Sequence, residues 1–203
     1  MKKKTTGVRD MVTLAMLSAI MLVMSYTPLG YLNVGPLAIS LNMIPVGIAA
    51  VTLGPVGGMF LGGMFGITSY FQCLGIGGTS AMGVILFGIN PFLAFVQRFV
   101  PRVLAGLLSG LIYQGVRKIT NSGFAAFVTG FCAALLNTAL FMGALVLLFG
   151  QTEYLQSLIG GQNLLLFVCT FVGVNAVVEM IATTAAVGTI GRVLTQFARN
   201  GRG

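Results

Sequence analysis

The chain has 203 residues, 57% of them hydrophobic and only 7% charged, with a formal net charge of +8 and neither His nor Trp. Eleven basic and three acidic residues cannot cover the surface of a soluble domain of this size, so a water-soluble globule is excluded. The basic residues stand at the ends of apolar runs, which excludes a nucleic-acid-binding face and leaves a polytopic helical protein in a lipid bilayer, with 29 Gly for close helix contact.

A basic leader (Lys2, Lys3, Lys4, Arg9) precedes the first predicted span, about 11–26. No small-residue cleavage site follows, so this run reads as a transmembrane helix and not as a signal peptide. Pro28, Gly30, Gly35 and Pro36 then break helical structure, and the stretch reads as a loop dipping back between helices. A short second span covers about 41–53 and ends at Gly54-Pro55. The third, about 56–74, carries Gly58, Gly62 and Gly66 four residues apart, a smooth groove for another helix. Residues 75–90 are glycine-rich and uncharged, and read as a loop or a lid over a cavity. The fourth span is about 91–116 and the fifth about 124–149; a polar loop containing Glu153 leads to the sixth, about 163–190.

The expected fold is therefore an all-α integral membrane protein, a single domain of six transmembrane helices. Six spans put both termini on one side. The nine basic residues outside the spans all fall on that side, in the leader, at Arg117-Lys118 and in the tail. The positive-inside rule makes it the cytoplasm.

Arg98 and Arg102 lie inside the fourth span, on one face of a helix. A charge at the bilayer centre costs about 2.5–3.5 kcal/mol on insertion scales, so both need partners. Glu179 in the sixth span is the remaining charge at membrane depth. A rise of about 1.5 Å per residue places Arg98 about 10 Å, Arg102 about 16 Å and Glu179 about 24 Å from the outer ends of their helices. Arg102–Glu179 is the expected structural pair, and Arg98 the expected contact to an anionic ligand, since a guanidinium fork matches a carboxylate. The competing reading has both arginines snorkel or bond to carbonyls near Pro101. Asn42, Asn137 and Asn175 are amides within or near spans that line a polar cavity or tie helices together. Tyr70, Gln72 and Asn90, at the outer ends of the third and fourth spans, complete the candidate substrate set.

No catalytic constellation is present: no His, no Asp/Glu pair and no phosphate-binding loop. Cys73, Cys132 and Cys169 are isolated in apolar runs, with neither metal spacing nor a disulfide framework. A non-enzyme without cofactor is expected.

The combination of AxxxA in the first span (Ala15, Ala19), NMIPVGIAAVTLGPVGGMFLGGMFG (42–66), FVPRVLAGLLSGLIY (99–113), Asn137-Thr138 and NAVVE (175–179) resembles the substrate-binding S components of energy-coupling factor (ECF) vitamin transporters. It covers essentially the whole chain and is most similar to the pantothenate-type branch. The resemblance implies a six-helix bundle in the bacterial cytoplasmic membrane and a vitamin site near the outer face. It further implies a membrane coupling subunit and two ATPases as partners, with Ala15 and Ala19 docking on the coupling subunit and the whole S component toppling during transport. A monoanion with hydroxyls and an amide suits one spare arginine and several Asn, as pantothenate would require. Folate, nicotinate or a thiamine precursor, and a stand-alone secondary carrier of small organic anions, remain as alternatives, as does a scaffold whose arginines pair internally.

Overall fold

The structure, a computed structural model, describes residues 7–27, 30–34, 37–76, 80–161 and 164–200, and for 31–34, 37–39, 164–172, 174–175 and 197–200 the backbone alone. In order it has α1 (Val8–Ser25), β1 (Tyr31–Val34), β2 (Leu37–Ser40), α2 (Met43–Thr52), α3 (Pro55–Cys73), α4 (Ala81–Ile89), α5 (Pro91–Val116), α6 (Ser122–Phe149), α7 (Glu153–Ile159) and α8 (Leu164–Asn200). Among the described residues four helical segments are long and apolar enough to cross a membrane: Val8–Ser25, Pro91–Val116, Ser122–Phe149 and Ala176–Gln196. The 19-residue α3 has the length but is diluted by glycine.

Three features differ from the sequence expectation. The stretch read as a dipping loop contains an antiparallel pair, β1 with β2, in the register Tyr31↔Ser40 to Val34↔Leu37. Gly35 and Pro36 break a helix, but the apolar residues that flank them suit a pleated ladder. The glycine-rich stretch 75–90 contains helix α4, started by Ser80, whose Oγ accepts from the Gly83 N–H at 3.3 Å. The polar loop after α6 contains α7, with Thr152 at its N-cap and Gly160 closing it in the left-handed conformation at φ 57°.

The 10-residue α2 is the centre of the bundle, with Met43 and every residue from Pro45 to Val51 buried. At about 15 Å it is half the hydrocarbon thickness. A helix apolar all round suits a position enclosed by others, and α3, α5, α6 and α8 surround it. α2 and α8 run in the same direction, since Gly47 lies against Val187 and Gly191 against Val51.

α3 and α5 meet backbone to backbone. A Cβ on Gly58 would strike the Gly106 carbonyl, one on Gly62 the Arg102 carbonyl, and one on Gly66 the Phe99 Cα at 2.8 Å. Only glycine allows this approach. α1 is tied to α3 by Gln72, whose Nε2 donates to the Ser25 carbonyl at 2.7 Å, and by the Ser25–Thr68 hydroxyl contact at 3.2 Å. Gln72→Leu is expected to cost about 1–2 kcal/mol by leaving that carbonyl unpaired, read as a lower melting temperature of the purified protein.

The interior has two apolar clusters. The larger joins Met21, Met43, Val46, Leu61, Phe65, Ala133 and Val187. The smaller joins Met82, Leu86, Ala94, Met142, Leu145, Phe149 and Leu155. Between them lies a layer of polar side chains.

Candidate functional site

α5 builds the layer. Asn90 caps it, its Oδ1 accepting from the Phe92 and Leu93 N–H groups at 3.1 Å each, and Pro91 occupies the first turn, where a missing N–H costs nothing. The buried face of α5 then carries Ala94, Gln97, Arg98, Pro101 and Arg102. Arg98 and Arg102 are 6% and 5% exposed, so both guanidinium groups are inside the bundle and do not snorkel.

Arg98 spreads its fork between two helices. Nη1 donates to Ser69 Oγ on α3 and Nη2 to Ser80 Oγ before α4, both at 3.2 Å. The Arg98 Nε has no hydrogen-bond partner. Arg102 lies over the Phe65 ring at 4.3 Å and the Phe141 ring at 4.9 Å, and Arg98 faces Phe141 at 5.3 Å. Aromatic faces stabilise desolvated cations by about 2 kcal/mol. Arg102 Nη1 also donates to the Arg98 carbonyl at 2.7 Å, one turn back across Pro101. For that side chain the carbonyl-bonding alternative therefore describes one of its contacts.

Glu179, 7% exposed, accepts from Asn137 Nδ2 of α6 at 3.1 Å. The Ser40 backbone N–H also bonds to this carboxylate, and Arg102 acts on it through its charge. The expected Arg102–Glu179 relation is thus present as an electrostatic one, and Asn137 and the end of β2 supply hydrogen bonds. Removing one member of such a group leaves uncompensated charge in the interior. Glu179→Leu is expected to destabilise the protein by about 3–5 kcal/mol, and Arg102→Met/Glu179→Leu together by much less, measured as a double-mutant cycle in thermal unfolding.

The structure brings Arg98, Arg102, Asn137 and Glu179 into one layer. Asn42, 0% exposed, stands at the start of α2, and neither its Nδ2 nor its Oδ1 has a partner. It is close in sequence to Ser40, which touches Glu179. Asn175 is one turn before Glu179 on α8, but its side chain lies outside the described residues. Three other candidates are engaged elsewhere. Gln72 holds α1, Asn90 caps α5, and Tyr70 packs edge-on against Phe95 at 5.2 Å and against Phe87 at 6.0 Å. Ala15 and Ala19 are exposed on α1, beside exposed Met11, Val12, Met16 and Ile20, whereas Leu17 and Met21 turn inward.

Sequence reasoning missed Ser69, Ser80, Phe141 and Gln97. Ser69 and Ser80 meet Arg98 across 29 and 18 residues of chain, a relation no local pattern encodes. Gln97 had a signal, an amide beside Arg98 within an apolar run.

The buried layer has two arginines and one carboxylate among the described residues, hence one formal positive charge in excess. Together with unpartnered amide atoms, this is the chemistry of a site for a small anion that also carries uncharged polar groups.

A protein of Leuconostoc mesenteroides subsp. mesenteroides, named pantothenate transporter PanT, is 33% identical over 181 residues, 86% of this chain and 83% of that one. A protein of Lactococcus lactis subsp. cremoris, named pantothenic acid transporter PanT, is 28% identical over 200 residues, 91% of this chain and 94% of that one. Residues 9–190 match the family described as ECF transporter, substrate-specific component. The chain belongs to that family: it is a multi-pass cell-membrane protein, a substrate-binding subunit of a transporter and not an enzyme.

Proposed function

We propose that this chain is the pantothenate-binding subunit of an ATP-driven ECF importer. In this reading it crosses the membrane six times with both termini in the cytoplasm, and works with a membrane coupling subunit and two ATPases. The observation that carries the ligand assignment is the single excess positive charge in the buried layer. Pantothenate supplies one carboxylate, and its hydroxyls and amide suit the unpartnered amide atoms. The pantothenate transporters that resemble the chain support the same reading.

Arg98 takes the carboxylate, since its Nε remains free and its other nitrogens hold only neutral hydroxyls. Asn42, Asn137 and Asn175 serve the hydroxyl and amide groups, while Arg102 and Glu179 set the charge of the layer. Tyr70, Gln72 and Asn90 hold α3 and α5 around it. The exposed Ala15–Ala19 face of α1 is where the coupling subunit docks.

The test is thermal stabilisation of the purified protein by pantothenate, nicotinate, folate and riboflavin. At a hundredfold excess over Kd a true ligand stabilises by about 2.7 kcal/mol. Pantothenate is expected to give the largest shift, and a shift with riboflavin alone would overturn the charge argument. In proteoliposomes, uptake is expected only with the coupling subunit, both ATPases and ATP. Uptake by this chain alone would make it a secondary carrier.

A further inference from the structure

Gln97 is fully buried, at 0% exposure, and neither its Nε2 nor its Oε1 has a hydrogen-bond partner. Buried amides are nearly always paired, because an unpaired donor or acceptor keeps its full desolvation cost. Its position on α5 is specific. It shares the buried face with Arg98, Pro101 and Arg102, one turn inward from Ala94 of the smaller apolar cluster. Pro101 has no N–H to give the carbonyl four residues back, so the backbone oxygen of Gln97 also lacks its helical donor. One residue thus presents two acceptors and a donor beside the arginine proposed to hold the carboxylate. Asn137 Oδ1, on the helix packed against α5, is a further unpartnered acceptor.

We infer that Gln97 is a specificity-determining residue: its Oε1 and its proline-freed carbonyl accept from the uncharged O–H and N–H groups of a carboxylate ligand, and its Nε2 donates to a hydroxyl or amide oxygen of the same ligand. The ligand class is then a small acid with hydroxyl or secondary amide groups near its carboxylate, and a purely apolar acid is rejected because it would leave Gln97 unpaired. The inference rests on the pantothenate reading of the same layer.

The experiment compares wild type with Gln97→Met and Arg98→Ala, measuring the melting temperature without ligand and the Kd for pantothenate and for panthenol, its alcohol analogue. Methionine matches glutamine in shape and needs no hydrogen bonds, so Gln97→Met is expected to melt at or above the wild-type temperature without ligand. It is also expected to bind both pantothenate and panthenol about tenfold or more weakly, with their ratio unchanged. Arg98→Ala is expected to shrink that ratio instead. A lower melting temperature of ligand-free Gln97→Met would show a structural role and overturn the inference. Wild-type affinity for both compounds in Gln97→Met would overturn it as well, leaving the pantothenate reading intact. Failure of wild type to bind pantothenate would overturn the reading and the inference together.

Discussion

Gly62→Leu is expected to lower the melting temperature of the purified protein by about 6–12 °C, corresponding to about 3 kcal/mol of overpacking. The first added atom already collides with the Arg102 carbonyl, and backbone cannot rotate away as a side chain can. α5 must withdraw from α3, and it takes the arginine layer with it. Pantothenate stabilisation is therefore expected to fall further than the loss of fold stability alone would produce. Gly143→Ala is the control, since nothing lies within 4 Å of a Cβ there. If Gly62→Leu melts like Gly143→Ala, the two backbones are not in contact.

The second large effect concerns the ligand. Arg98→Ala is expected to weaken pantothenate binding by about a hundredfold or more, because a desolvated carboxylate loses its charged partner. Panthenol, which has no carboxylate, is expected to be far less affected. Arg98→Lys is not expected to restore binding, since an ammonium cannot reach Ser69 and Ser80 and also offer a planar fork to a carboxylate. The fold should persist, because Arg98 gives up two neutral hydroxyl contacts and one ring face, that of Phe141. Unchanged pantothenate affinity in Arg98→Ala would return Arg98 to a purely structural role and leave the excess charge to be met elsewhere.

Why some of this was legible in the sequence follows from where the information lies. The start of α5 is local: Asn90 and Pro91 are a cap and a first-turn residue in adjacent positions. The glycine face of α3 is local too, because a four-residue spacing of Gly58, Gly62 and Gly66 maps onto one side of a helix. Its partner was not readable, although Gly106 answers Gly58 in the structure. α4 was hidden because its nine apolar residues carry no polar side to give a helical period, and glycines surround it. The hairpin was hidden by the breakers Gly35 and Pro36, which mark a turn without stating what it joins. In the site, the arginines and Glu179 stand out because charge is rare at membrane depth. The serines that hold Arg98 do not, since serine is ordinary in such helices and only tertiary contact selects these two.

The division of the interior into two apolar clusters bears on how the molecule comes apart. Hydrocarbon packing is continuous within each cluster, and between them the arginine layer substitutes hydroxyl and amide contacts and guanidinium–ring faces for interlocked hydrocarbon. The smaller cluster draws on α4, α7 and the ends of α5 and α6, and the larger one on the enclosed α2. Opening should therefore be two events of unequal free energy. In amide hydrogen exchange, α4 and α7 are expected to lose protection together while α2 remains closed. A receptor that must admit and release its cargo without losing its place in the bilayer gains from such a boundary, since the half that yields is not the half that keeps the bundle whole.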